Sequence, residues 1–168
     1  MPTANSSLYS RKDAYLSAPD ALLAHPGDTV AIASDHAGVA LKTALAADLA
    51  GLGFKVLDLG PNTADSVDYP DYGHALGRAV ADGSAKAGIA ICGSGIGISI
   101  AANRHAGVRA ALVHDAANAQ LAREHNDANV LALGARTTSP ETAKNLVNIF
   151  FATPFGGGRH ARRVEKLG

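Results

Sequence analysis

Short apolar runs alternate with longer alanine-rich stretches along this chain from Thr29 onward. The apolar runs are bounded by Gly, Asp, Asn or His, which is typical of strands buried in a sheet; they are TVAIAS, FKVLDLG, AGIAICG, VRAALVH and NVLALG. The stretches between them place apolar residues at helical spacing with polar residues opposite, at residues 39–50, 72–81, 98–104, 116–125 and 140–151. Strand and helix therefore alternate five times.

This alternation predicts an α/β fold, a Rossmann-like three-layer sandwich with a five-stranded parallel sheet. Right-handed crossovers place helices on both faces of such a sheet. Ligands of these folds bind at the carboxyl ends of the strands, so we look there for functional side chains.

One segment precedes the predicted domain, which spans residues 29–168, and another forms its C-terminal end. Residues 1–28 mix Ser, Pro, Asp, Lys and Tyr without a sustained period, apart from a short helix predicted at residues 18–24. We expect an N-terminal extension outside the core there. The tail carries three consecutive glycines at residues 156–158 and then a basic segment. This predicts a C-terminal arm from about residue 156, which reaches away from the core by a flexible turn.

The charge balance narrows the classes of partner. The 168 residues carry 15 Lys and Arg against 15 Asp and Glu, a formal net charge of zero, which removes the field that non-specific nucleic-acid binding needs. No apolar run in the sequence approaches the roughly 20 residues of a membrane span. One cysteine cannot form an intramolecular disulfide, and the first residues lack the apolar stretch of a secretory signal. We therefore expect a cytoplasmic protein with neither nucleic acid nor membrane as partner.

The third predicted strand ends in a glycine-rich loop, Cys92-Gly93-Ser94-Gly95-Ile96-Gly97. Three glycines in five residues let several backbone N–H groups point at one ligand, while the following helix adds the positive end of its dipole. This is typical of an anion site, and the dipole favours the thiolate of Cys92. Inert packing is the alternative for a lone cysteine. The G-x-G-x-G spacing differs from the dinucleotide fingerprint, and Ile98 stands where a cysteine-dependent phosphatase needs Arg.

Polar residues also follow the first and fifth predicted strands. Asp35 and His36 come directly after the first strand, where Asp35 caps a helix or, together with His36, binds a hydroxylated ligand. Arg136 follows the fifth strand, which places it at the same sheet edge as Cys92. A solvated surface position is the alternative for this arginine.

Two further clusters carry candidate chemistry. His125 and Asn126 close the helix before the fifth strand, where they form either part of a site or an ordinary C-cap. Arg159 and Arg163 are four residues apart and share one helical face, so they bind a phosphate together or form a solvated face. The seven histidines show no metal-ligand spacing, and a single cysteine excludes a thiolate zinc site. We expect no metal and no cofactor.

Six motifs follow one another from about Val30 to the C-terminus. They are DHAG with LK at residues 35–42, DYP at 68–70, CGSGIG with AAN at 92–103, HND with NVL at 125–131, GAR at 134–136, and GGRH at 157–160 with Arg163. In this order they resemble the type B ribose-5-phosphate isomerases and the related galactose-6-phosphate isomerase subunits.

The resemblance implies a metal-free aldose–ketose isomerase that interconverts ribose 5-phosphate and ribulose 5-phosphate through an enediolate. In such a reaction a base moves a proton between C1 and C2, an imidazole helps to open the sugar ring, and fixed donors hold the oxyanion. Matched position by position, Cys92 is the base and His125 is the ring-opening acid. One branch of the family uses a glutamate at the position of Ile98, so this chain resembles the thiol-using branch.

The resemblance also implies which residues bind the substrate. The sugar end is held by Asp35, His36 and Asn126, and Tyr69 lines the pocket. The glycine-rich loop binds the enediolate through Gly93, Ser94, Gly95, Ile96 and Gly97. The phosphate is bound by Arg136, Arg159 and Arg163.

The implied partners are a small sugar phosphate and a second copy of the chain. The family resemblance implies a homodimer, or a dimer of dimers, whose active sites combine residues of both subunits. One alternative keeps the chemistry on another sugar phosphate, such as erythrulose 4-phosphate, allose 6-phosphate or galactose 6-phosphate. Another is a module that binds a sugar phosphate without turning it over. The glycine spacing disfavours a nicotinamide oxidoreductase.

Overall fold

Five parallel strands form the centre of the molecule. The computed structural model describes residues 21–168, and its strands are β1 (Thr29–Ser34), β2 (Lys55–Asp58), β3 (Ala87–Cys92), β4 (Ala110–Leu112) and β5 (Val130–Gly134). They form one sheet in the order β2-β1-β3-β5-β4, and every neighbouring pair is parallel. The predicted α/β fold with a five-stranded parallel sheet is confirmed.

Helices alternate with these strands as predicted, and the last two helices follow β5. They are α1 (Val39–Gly51), α2 (Tyr69–Ala81), α3 (Ile96–Ala102), α4 (Ala116–Glu124), α5 (Pro140–Ala152) and α6 (Ala161–Glu165). Two begin at side-chain caps, where Asp115 accepts from the N–H of Asn118 and Ser139 from that of Thr142. Helix α2 begins three residues earlier than predicted, because Pro70 fits the first turn of a helix, where no N–H is needed.

The two faces of the sheet bury side chains of different size. Val30 and Ile32 join the core cluster with α1 and α5, whereas the alternate residues Ala31 and Ala33 join the cluster with α2 and α3. Each large side chain fully buried on the first face contributes about 2 kcal/mol to folding. On the second face the helices approach more closely. Cys92 lies on that second, small-residue face, next to α3.

The segment before Thr29 contributes to the core, which corrects the expectation that it lies outside. Leu22 is 8% exposed and Ala24 is fully buried, and both belong to the cluster on the α1 and α5 face. The backbone here is tied down by Gly27, whose N–H donates to the carbonyl of Gly53. The short helix predicted at 18–24 lies partly outside the described residues, and residues 21–24 are not helical.

The C-terminal arm turns back onto the domain rather than reaching away from it. Gly157 and Gly158 adopt φ values of 58° and 55°, which favour glycine and reverse the chain direction. A 3-10 helix (Gly158–His160) follows, and the ring of His160 stacks on that of His125. The expectation of a freely projecting arm was wrong because this ring contact could not be foreseen from a glycine hinge.

An ion pair joins the buried Lys42 of α1 to Asp58 at the end of β2, whose side chain is 38% exposed, and breaking it should destabilise the fold. The side chain of Lys42 is 2% exposed, and its Nζ lies 2.6 Å and 2.5 Å from the two carboxylate oxygens of Asp58. Asp58→Ala leaves a buried ammonium without its partner, so we expect a loss of about 3 kcal/mol in the free energy of unfolding. Lys42→Met removes the charge itself and should cost less.

Urea-induced unfolding of both variants measures this difference, with Lys86→Met at an exposed lysine as the control. If Asp58→Ala is as stable as Lys42→Met, the ion pair does not carry the stability assigned to it.

Candidate active site

The loop after β3 brings backbone donors to the single thiol. Cys92 ends the strand and is 4% exposed, and the N–H of Gly95 donates to its Sγ across 3.1 Å. Gly95 has φ +78°, and a Cβ there would come 2.8 Å from the carbonyl carbon of Leu133. Only glycine therefore lets this N–H approach the sulfur, which turns the glycine-rich pattern into a specific contact with Cys92.

A cavity of about 590 Å³ opens at the carboxyl ends of β1, β3 and β5. It brings together seven of the predicted site residues and Tyr69. Two lining residues, Ile100 and Thr137, were not predicted. Ile100 lies four residues after Ile96 on the exposed face of α3, and this spacing is equally typical of an ordinary surface position. The residues that line the cavity are Asp35, Tyr69, Cys92, Gly93, Ser94, Ile96, Gly97, Ile100, Arg136 and Thr137.

Arg136 lies beside the glycine-rich loop, at the sheet edge where the sequence placed it. Cys92 and Gly134 are register partners, so the segment after β5 runs next to the segment after β3. The N–H of Arg136 donates to the carbonyl of Gly93 across 3.0 Å, and a Cβ on Gly93 would lie 3.0 Å from Arg136 Nη1. A guanidinium this close to backbone donors creates a local preference for an anion.

Asp35 and His36 both have structural partners. Asp35 Oδ1 accepts from the N–H groups of Ala37 and Gly38, at 2.9 Å and 3.2 Å, so it caps the short helix while its side chain also lines the cavity. His36 Nδ1 accepts from the N–H of Val67, so Nε2 carries the proton in the neutral ring. His36 is not among the residues that line the cavity.

His125 and Asn126 lie at the amino ends of the strands, whereas Cys92 lies at their carboxyl ends. They follow α4 and lead into β5, whose first residue, Val130, pairs with Gly88 at the start of β3. The four steps of β5 span about 13 Å. The structure therefore does not bring His125 and Asn126 to Cys92 within one chain.

A network of charges holds the turn that presents His125 and Asn126. Asp127 has φ 45°, an unusual backbone for a residue other than glycine, and its carboxylate accepts from Arg123 Nη1 at 2.8 Å and Arg109 Nη2 at 3.2 Å. Arg123 is 1% exposed, and burial lowers its pKa while the hydrogen bond that it donates to Asp127 acts in the opposite direction. The sequence pattern indicated the polar cluster at residues 125–127 but not the arginine that binds Asp127, because Arg123 occupies an ordinary helical position.

The predicted arginines of the arm lie near this second cluster. Arg159 and Arg163 are exposed and flank His160, whose ring is 4.2 Å from that of His125 between centroids. A second cavity, of about 310 Å³, is lined by Asn126 together with residues 108–111 around β4 and Leu167 of the arm. The predicted site residues thus form two groups, one at the carboxyl ends of the strands and one at their amino ends.

Residues 21–168 contain neither a cluster of metal ligands nor a membrane-spanning helix. No three His, Cys, Asp or Glu side chains in that range lie close enough together to hold a metal ion. No helix in it is long and apolar enough to cross a membrane. The cytoplasmic location and the absence of a cofactor stay predictions.

Comparison with known proteins assigns this chain to a family. A sequence profile described as Ribose/Galactose Isomerase matches residues 30–167, which include both groups of site residues. The chain belongs to this family. The resemblance to type B ribose-5-phosphate isomerases, drawn from six motifs, is confirmed, and the chain is accordingly a sugar phosphate isomerase.

Individual members of the isomerase family match over nearly their full length. Ribose-5-phosphate isomerase B of Escherichia coli is 44% identical over 138 residues, which are 82% of this chain and 93% of the relative. D-erythrulose-4-phosphate isomerase of Pectobacterium atrosepticum is 41% identical over 141 residues, 83% and 93% of the two chains. The solved structure of Clostridium thermocellum ribose-5-phosphate isomerase B superimposes with a TM-score of 0.82 at 46% identity, covering 83% and 95%.

Substitution of Gly93 tests whether Arg136 and the loop form one anion site. In Gly93→Ala the new methyl group meets the guanidinium, so Arg136 must move away. We expect inorganic phosphate to bind roughly tenfold more weakly, since one charge-assisted contact is lost. Isothermal titration calorimetry measures the affinity.

The matched control is Gly51→Ala, because a Cβ there meets nothing within 4 Å. Equal phosphate affinity in the two variants would show that Arg136 and Gly93 do not act together.

Proposed function

We propose that this isomerase interconverts ribose 5-phosphate and ribulose 5-phosphate through an enediolate, with the Cys92 thiolate as the base. The observation that supports this most is the N–H of Gly95 donating to Cys92 Sγ inside a cavity that Arg136 also lines. The thiolate is the form of this side chain that accepts a proton, and the N–H of Gly95 is a donor in contact with the sulfur. Cys92 belongs to the core cluster on its face of the sheet and also lines the cavity.

The proposed reaction moves one hydrogen from C2 to C1 and one from the oxygen on C2 to the oxygen on C1. The thiolate takes the proton from C2 of the open-chain aldose, the electron pair of that C–H bond forms the C1–C2 double bond of the enediolate, and the carbonyl pair moves onto the oxygen of C1, which takes up a proton. The hydroxyl on C2 then loses its proton and becomes the ketone, while C1 takes the proton back from the thiol. Backbone N–H groups of the loop and the Ser94 hydroxyl hold the oxyanion, which is charge that develops only during the reaction.

Arg136 gives the phosphate a binding group at the same edge as Cys92. Asp35, which lines the same cavity, accepts hydrogen bonds and is suited to a sugar hydroxyl. Tyr69 closes one wall, with its ring packed so tightly on Gly97 that a Cβ there would lie 2.5 Å from Cε2. These groups recognise an anionic, hydroxylated substrate of small size.

The remaining groups are proposed to come from a second subunit. The second group of site residues lies away from Cys92, at the amino ends of the strands, and consists of His125, Asn126, Arg159 and Arg163. One chain therefore holds two halves of a site. A two-fold dimer brings the first half of each subunit to the second half of its partner, because both copies use the same surfaces reciprocally. Ile96 and Ile100, 53% and 59% exposed beside the cavity, supply apolar area for such a contact.

A four-carbon substrate is the second candidate. The relative from Pectobacterium atrosepticum is named for D-erythrulose 4-phosphate and is nearly as similar to this chain as the Escherichia coli ribose-5-phosphate isomerase B. The same base and the same phosphate group would serve a sugar one carbon shorter.

The first test is ribulose formation from ribose 5-phosphate without added metal, by the wild type, Cys92→Ala and Cys92→Ser. We expect both variants to lose at least about a hundredfold in kcat, because neither side chain offers a thiolate. Circular dichroism melting establishes that each variant is folded. Full activity in Cys92→Ala would remove the thiol from the mechanism.

The same assay with four-, five- and six-carbon sugar phosphates settles the substrate. A kcat/KM for ribose 5-phosphate at least about tenfold above that for erythrulose 4-phosphate supports the five-carbon proposal. The reverse preference keeps the mechanism and replaces the sugar.

Mixing two inactive variants tests the shared site. Cys92→Ala and His125→Ala should each be inactive alone, but a mixed dimer contains one site that has Cys92 from one chain and His125 from the other. After unfolding and refolding together, half of the dimers are mixed and one of their two sites is intact, so about a quarter of wild-type activity should return.

Separate refolding of each variant is the control for recovery by refolding alone. A mixture that stays inactive, although size-exclusion chromatography shows dimers, would contradict the shared site.

A further inference from the structure

The ring of His160 covers one face of His125. The centroids of the two imidazoles are 4.2 Å apart and their planes are inclined by 12°, a parallel stack within the same chain. His125 follows the end of α4, whereas His160 ends the short helix of the C-terminal arm. The stack is thus the point at which the arm meets the second half of the site.

Backbone contacts place His160 over His125. The N–H of Gly156 donates to the carbonyl of Glu124 across 2.9 Å, next to His125, and a Cβ on Gly156 would come 2.9 Å from that same oxygen. Gly157 and Gly158 then turn the chain with positive φ, and the N–H of His160 donates to the carbonyl of Gly157. Glycines at these positions are required for this path, which explains their run of three.

The groups around the stack lower the pKa of His160. Burial is the main cause, and the neighbouring His125 adds to this effect. Arg159 and Arg163 act in the same direction, and Glu124 alone opposes them. The parallel stack covers one face of His125 and leaves the ring edge, with its nitrogens, to a ligand.

We propose that His160 is a positioning residue, which fixes the plane of the His125 imidazole for opening the sugar ring. The inference rests on the proposed function, in which His125 acts on the ring oxygen of the cyclic aldose. Proton transfer between heavy atoms requires hydrogen-bond geometry, so an imidazole free to rotate spends little time in the productive orientation. A flat aromatic partner restricts that rotation without competing for the nitrogens.

Exchange of a carbon-bound proton separates this role from a general effect. Ribose 5-phosphate is mainly a closed ring, whereas ribulose 5-phosphate has no free hydroxyl placed to close a five-membered ring and stays open. A group that opens the aldose ring also closes it in the reverse direction, so isomerisation in either direction includes the ring step. Exchange of the C1 proton of ribulose 5-phosphate with solvent needs only the enediolate and does not include that step.

The experiment compares His160→Ala with His160→Phe in isomerisation and in exchange of the C1 proton of ribulose 5-phosphate with deuterated water. We expect His160→Ala to lower kcat/KM for isomerisation about tenfold or more, since the orientation of the acid is lost, and to change the exchange rate less than about twofold. His160→Phe keeps a flat ring and should restore most of the isomerisation rate. NMR of the His125 ring protons should show the ring-current shift lost in His160→Ala and kept in His160→Phe.

Each contrary result identifies what has failed. Equal losses in isomerisation and in C1 proton exchange, or no loss in either, overturn the positioning role of His160. If the chemical shifts of the His125 ring protons are the same in the wild type and in His160→Ala, the two rings do not stack. A wild type that is inactive on ribose 5-phosphate while the NMR shift is present refutes the proposed function, and the positioning role falls with it.

Discussion

The common direction of all five strands is the constraint on which the arrangement of the site depends. In a parallel sheet every carboxyl end lies at one edge, and the chain must cross a face before the next strand begins at the other edge. Segments that leave strands, such as residues 92–97 and 134–137, therefore collect at the edge where Cys92 lies. His125 and Asn126 lead into β5, so the same rule places them at the opposite edge. A chain with this topology separates the proposed base, Cys92, from the proposed ring-opening group, His125, which is why the proposed mechanism needs a second subunit.

The sequence predicted those parts of the fold and site that depend on local patterns. The strand positions followed from apolar runs buried on both sides, as β1 and β3 illustrate, and the helices followed from their spacing between these runs. Cys92 and Arg136 were placed at one edge because both follow strands of a parallel sheet, and their register confirms it. The glycine spacing indicated a close backbone approach, and the contact between Gly95 and Cys92 gives the physical reason.

Features that depend on distant contacts could not be predicted in this way. The sheet order β2-β1-β3-β5-β4 places β4 at the edge, although it precedes β5 in the chain, and no local pattern fixes that choice. Leu22 and Ala24 looked like part of an extension, yet they fill the core beside Phe54. The glycines of the tail suggested flexibility, because a turn residue shows where a chain bends but not what it meets afterwards. The role of Asn103, whose amide bonds both main-chain groups of Ala110 and protects the edge strand, is equally invisible in the sequence.

Each half of the proposed site is held rigid by its own edge of the sheet. On the Cys92 side the backbone bonds from Ala135 and Arg136 to the carbonyls of Cys92 and Gly93 join the two loops that line the cavity. On the other side Asp127 accepts from two arginines while in a left-handed conformation, which costs about 1 kcal/mol for a residue with a Cβ. That strain is maintained because the paired carboxylate offsets it and fixes the turn after His125. Association of two such chains would align preformed halves, so little of the binding free energy is lost in ordering the site.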